Sequence, residues 1–164
     1  MVQLVETEDS LLAQFFLHNT WANLRLLDAC KGLTDEQLDT TATGTMGTIR
    51  NTLVHIVGAE QRYLASLTGQ PREEPLERKP FTSIADLRER ARSSGEGLAE
   101  VAARTTSEGI IETTWQGQAT QVKISTLLIQ AINHGAEHRA HVNTILTQLG
   151  IEPPRIDGWA YSER

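Results

Sequence analysis

Apolar residues recur at three- and four-residue spacing along four stretches of this chain, and each stretch predicts an amphipathic helix. The first, residues 10–31, carries Leu11, Phe15, Ala22, Leu26 and Ala29 on one face and ends at Gly32. The second, residues 48–67, aligns Ile49, Leu53, Ile56, Leu64 and Leu67, with Gly69 as its stop. A third runs from Ser83 to about Arg104. Gly95 and Gly97 inside it each cost ~1 kcal/mol relative to alanine, which weakens the helical pattern and leaves room for a kink in its middle. The fourth and best patterned, residues 125–149, places Leu127, Ala131, Val142, Ile145 and Leu149 on a stripe that continues back to Ile124. Gly150 stops it, ahead of Pro153 and Pro154.

The segments between these helices carry their own signals. In "TDEQL", Thr34 and Gln37 have the spacing of a capping box, which predicts a short helical turn. "GQPREEPLERKP" is a proline-punctuated polar linker. "GIIETTWQGQATQVKI" sets β-branched and aromatic residues on both sides of Gln116-Gly117, the pattern of a short hairpin. The fold class expected is therefore all-α, a four-helix bundle with a short β-hairpin before the last helix. At 164 residues the chain suits one domain over 1–164 with one core.

Composition narrows the chemistry. A chain with 39% hydrophobic and 22% charged residues is an ordinary globular one. It has no run of 18 apolar residues, and "MVQLVETEDS" lacks the features of a signal peptide, so no membrane partner and a cytoplasmic location are expected. The net charge of -6 argues against binding nucleic acid. Cys30 is the single cysteine, which excludes an internal disulfide and a thiolate cluster, and its place at the end of an apolar helix suits inert packing. Metal chemistry would then fall to imidazole and carboxylate.

Three of the five histidines fall within eight residues of the fourth helix, in "INHGAEHRAHVNTIL". At ~100° per residue, His134 and His138 lie inside its apolar stripe and His141 at the edge. Burying three imidazoles without partners would cost roughly 1–3 kcal/mol each, so a shared partner is expected. His134 and His138, one turn apart and ~6 Å along the axis, can converge on one ion; His138 and His141 could also do so. His134 and His141, ~10 Å apart, make a poor chelating pair. A third ligand must come from another helix. His55 falls off the apolar stripe of the second helix, among Asn51, Ala59 and Arg62, and is preferred; His18, which faces inward with Phe15 and Ala22, is its rival.

Glu60 sits in the middle of the second helix's stripe, where an unpaired carboxylate is costly. Its partner is expected to be an arginine such as Arg139 or Arg25, with a hydrogen bond to a ligating histidine as the functional alternative. Trp21, Trp115 and Trp159 are expected in the core or in a pocket wall.

The stretches "HNTWANLRLLDAC", "GTIRNTLVHIVGAEQRYLASLTG", "HGAEHRAHVNTILTQLG" and the tail "DGWAY" together resemble the DinB family, the DinB/YfiT-like metalloenzymes, over nearly the whole chain. The resemblance implies an up-down-down-up four-helix bundle with a divalent metal on His55, His134 and His138 and further positions open to solvent. It also favours His55 over His18. Many members have glutamine where this chain has His141, in "HRAH", which leaves His141 as a pocket residue or a competing ligand. All-nitrogen ligation suits zinc, nickel, iron(II) or cobalt, and neither magnesium nor calcium.

Relatives in that family include S-transferases and isomerases that use bacillithiol, mycothiol or glutathione. The function implied is a metal-dependent enzyme that activates a low-molecular-weight thiol against a small-molecule electrophile, with His141 and Glu60 in pocket or supporting roles. A metal-dependent hydrolase using hydroxide on the ion is the second enzymatic reading. A metal-binding bundle without turnover, a sensor or carrier, is the third. A homodimer is compatible with each.

Overall fold

The computed structural model describes residues 10–115 and 117–164, and for Trp115 the backbone alone. The four periodic stretches fold as α1 (Leu11–Cys30), α3 (Ile49–Thr68), α4 (Ile84–Arg104) and α5 (Ile124–Gln148). Short helices α2 (Asp35–Leu38) and α6 (Gly158–Ser162) follow α1 and α5. Strands β1 (Ile110–Trp115) and β2 (Gln118–Lys123) pair antiparallel, from Ile110 opposite Lys123 to Trp115 opposite Gln118. That is the expected hairpin. Of its turn, Gly117 has φ +81°, a backbone shape that favours glycine, and Gln116 lies outside the described residues.

Local chemistry explains the boundaries. Ser10, Thr34, Thr48 and Ser83 each accept a backbone N–H of the first turn they precede, and Thr34 with Gln37 completes the capping box. Gly69, at φ +70°, closes α3. α5 has no side-chain cap because β2 runs straight into it. Glu108 instead accepts the N–H of Ser125 at 3.2 Å.

Two apolar clusters fix the direction of every long helix. One joins Leu26, Leu27 and Cys30 at the end of α1 with Ile49, Leu53 and Val57 at the start of α3. Ile84 and Leu87 at the start of α4, and Val142, Ile145 and Leu146 late in α5, complete it. The other joins Phe16 early in α1, Leu98 and Ala102 late in α4, and Leu128 and Ala131 early in α5, with Leu64 and Leu67 of α3 against it. Hence α1 and α5 run one way and α3 and α4 the other, the up-down-down-up order. The parallel pair α3 and α4 needs a connection along the whole bundle, which residues 69–83 provide. This crossover contains a 3₁₀ turn, Leu76–Arg78. No helix among the described residues is long and apolar enough to cross a membrane.

One expectation fails on α1. Leu11 and Phe15, expected to face the core, are 81% and 61% exposed, while Phe16 is fully buried. The inward face of α1 carries the polar Asn19, Thr20 and Asn23, so apolar periodicity alone points about one residue away from the true face. α4 is continuous helix through Gly95 and Gly97. Gly95 serves close packing: a Cβ there would lie 2.8 Å from Thr20 Cβ, so α1 and α4 approach where a larger residue would collide. Gly97 makes the same room for Leu64.

Candidate metal centre

His134 and His138 project from successive turns of α5 toward His55 on the antiparallel neighbour α3. The three rings pack with centroids 4.3 to 5.0 Å apart, and one ligand atom from each lies within 4.8 Å of the other two. Among the described residues this trio is the histidine, cysteine and carboxylate group able to hold an ion. His18 is elsewhere. Its Nε2 lies 3.0 Å from the Ile156 carbonyl, and its ring packs against Trp21 and Tyr161, where the tail returns over α1.

The donor set fits a cation. His55 and His134 face one another Nε2 to Nε2 at 2.9 Å. Two lone pairs cannot oppose each other at that distance, so a proton or a positive ion must lie between them. His138 has its Nδ1 3.2 Å from Nδ1 of His141, which leaves Nε2 free. Burial, reinforced by the neighbouring His138 and His55, lowers the His134 pKa to about 4; burial and His55 lower that of His138. At neutral pH both rings therefore keep the lone pair a metal requires.

His141 is thus a hydrogen-bond partner of His138 on the partly exposed side of α5. Glu60 has another setting. Asn19 and Asn23 donate to its Oε1 at 2.7 and 2.8 Å, Ser94 donates to Oε2 at 3.3 Å, and Arg139 Nη1 donates to both asparagine carbonyls at 2.7 Å. Arg139, of the two arginines considered, is the one in this network; Arg25 lies over Trp21. Gly135 makes the space, since a Cβ there would lie 2.8 Å from both Arg139 Nη1 and Asn19 Oδ1.

Burial pushes the Glu60 carboxyl up to about 7, against Arg139 and the three donors, which favour its ionised form. A folded pKa above the unfolded value of 4.5 means that the folded protein binds more protons between about 4.5 and 7. Stability from this group is complete below 4.5 and is lost as pH rises through 7. Glu60→Gln cannot titrate, so wild type is expected to lose stability relative to it over that window. Urea denaturation of both proteins with chelator present, at pH 4.5 and 7.5, measures the difference.

Sequence reasoning overlooked Glu77, placed in the polar linker. From the 3₁₀ turn its Oε1 reaches His55 Nδ1 at 2.9 Å, and Arg62 donates to both its oxygens at 2.8 Å. Burial would raise this carboxyl, but the bonds from His55 and Arg62 outweigh it and hold it down to about 2. The available signals were Gly58, a glycine inside a helix, and, for the Glu60 network, the one-turn spacing of Asn19 and Asn23. Trp21 is half-buried against His18 and Tyr161, whereas Trp159 is 79% exposed, contrary to expectation. Its place on the short terminal helix puts it beyond both apolar clusters. The Trp115 side chain lies outside the described residues.

Comparison with known proteins agrees with this fold. A DinB-like protein from Bacillus cereus ATCC 10987 has a similar crystal structure, with a TM-score of 0.66 at 22% identity. The alignment covers 87% of this chain and 93% of that one. No curated protein matches. The family model for the DinB family matches residues 1–164, so a bundle of this topology, carrying a histidine trio on its second and last long helices, belongs to the DinB family.

Proposed function

We propose that His55, His134 and His138 hold a divalent transition metal, zinc, nickel or iron, and that the protein uses it to activate a low-molecular-weight thiol for S-transfer or isomerisation of a small electrophile. The observation that carries this reading is the convergence of three ring nitrogens within 4.8 Å, two of them opposed at 2.9 Å. When bound, an ion on three neutral imidazoles retains its full charge and lowers the pKa of a thiol or water at an open position.

The chain's own groups supply orientation. Glu77 and His141 engage the outer nitrogens of His55 and His138, which restrains both rings. His141, beside a ligand and partly accessible, is the group placed to accept or return a proton. Glu60 and Arg139 lock α1, α3 and α5 together behind the site. The reading places the protein in the cytoplasm, where small thiols are kept reduced.

The test uses cobalt-loaded protein. Addition of a small thiol is expected to produce a sulfur-to-metal charge-transfer band, and conjugation of an electrophile should require that thiol. Hydrolysis of activated esters at a rate indifferent to thiol, with no such band, would replace this reading with a hydrolase. Metal binding without either reaction would make the bundle a sensor or carrier.

A further inference from the structure

We infer that Glu77, on the crossover between α3 and α4, is a positioning residue that fixes His55 in the tautomer presenting its Nε2 lone pair to His134 and His138. The consequence for metal affinity rests on the metal reading above; the tautomer does not.

A carboxylate can only accept, so the 2.9 Å contact makes His55 Nδ1 the donor and leaves the neutral ring's lone pair on Nε2. That atom is the one opposed to His134. Glu77 is itself held in a two-pronged grip, with Arg62 Nη1 on Oε2 and Nη2 on Oε1. Arg62 and His55 stand two turns apart on α3, and the carboxylate spans the interval above Gly58. The glycine is what permits this. A Cβ at position 58 would lie 2.9 Å from Glu77 Oε2 and 3.2 Å from Arg62 Nη1. A segment outside the two ligand helices thus decides which nitrogen of His55 faces the site. Outer partners of this kind change metal affinity by about 10–100-fold.

Long-range ¹H–¹⁵N spectra of chelated protein report the His55 tautomer, and competition with a zinc chelator reports affinity. Wild type is expected to show the Nδ1–H form. Glu77→Leu should lose that preference and bind zinc about 10–100-fold more weakly. Glu77→Gln keeps an acceptor oxygen, and should keep the tautomer and bind more tightly than Glu77→Leu. Gly58→Ala should also weaken binding by displacing the carboxylate, although alanine favours the helix by ~1 kcal/mol. Lower affinity at an unchanged or higher melting temperature separates positioning from folding. An Nε2–H form of His55 in wild type, or zinc affinity of Glu77→Leu within twofold of wild type, overturns the inference. Should wild type hold no metal, the metal reading falls, and the tautomer comparison between wild type and Glu77→Leu alone decides the role of Glu77.

Discussion

Alanine at His134 or His138 is expected to abolish metal binding, and His55→Ala to weaken it by orders of magnitude. Each removes one of three nitrogens that converge within 4.8 Å, and two imidazoles alone hold a divalent ion far more weakly than three. His18→Ala and His141→Gln should leave affinity within about tenfold. His18 is committed to the tail through Ile156, and His141 touches the site through His138 alone, so loss of its bond falls within the range of an outer partner. Elemental analysis after incubation with zinc or nickel measures occupancy. Loss in His141→Gln as severe as in His134→Ala would mean that a different trio holds the ion.

The largest effect on stability is expected from Arg139→Leu, about 2–6 kcal/mol by urea denaturation of chelated protein, at roughly 1–3 kcal/mol for each buried carbonyl left without its donor. Arg139 is 4% exposed and Glu60 1%; without the cation the Glu60 carboxyl, already pushed up to about 7 by burial, rises further and binds a proton at neutral pH. It also strips the donor from the carbonyls of Asn19 and Asn23. Burial lowers the Arg139 pKa to about 10 while Glu60 raises it, so the guanidinium remains charged at neutral pH. A cost below 1 kcal/mol would show that water or a rearranged side chain can replace it. The metal affinity of this variant is a separate matter, because Arg139 follows His138 directly.

These two regions differ in how far the sequence exposes them. The pairing of His134 with His138 follows from spacing along one helix, as does the capping box of Thr34 and Gln37; helix geometry alone brings such groups together. A buried carboxylate demands a counter-charge, so the sequence calls for an arginine near Glu60 but leaves Arg139 and Arg25 open; packing selects Arg139. The two asparagines that mediate the pairing are not called for. They lie on a face of α1 that apolar periodicity excludes, because that face buries amide groups in place of aliphatic ones.

The sequence by itself determined the elements whose causes lie within a few residues: four long helices, their serine and threonine caps, the stop at Gly69 and the hairpin through Gly117. It also determined that one helix would present two imidazoles to one side. Tertiary structure alone decided that His55 reaches them while His18 is taken by the tail, and that Phe16 rather than Phe15 enters the core. It alone brought Glu77 over Gly58 to orient His55. The physical reason is that side-chain periodicity constrains a helix about its own axis. Partners on different helices depend on how each helix is rotated against its neighbours and on the path of the crossover between parallel α3 and α4. Both are settled by packing the whole bundle at once.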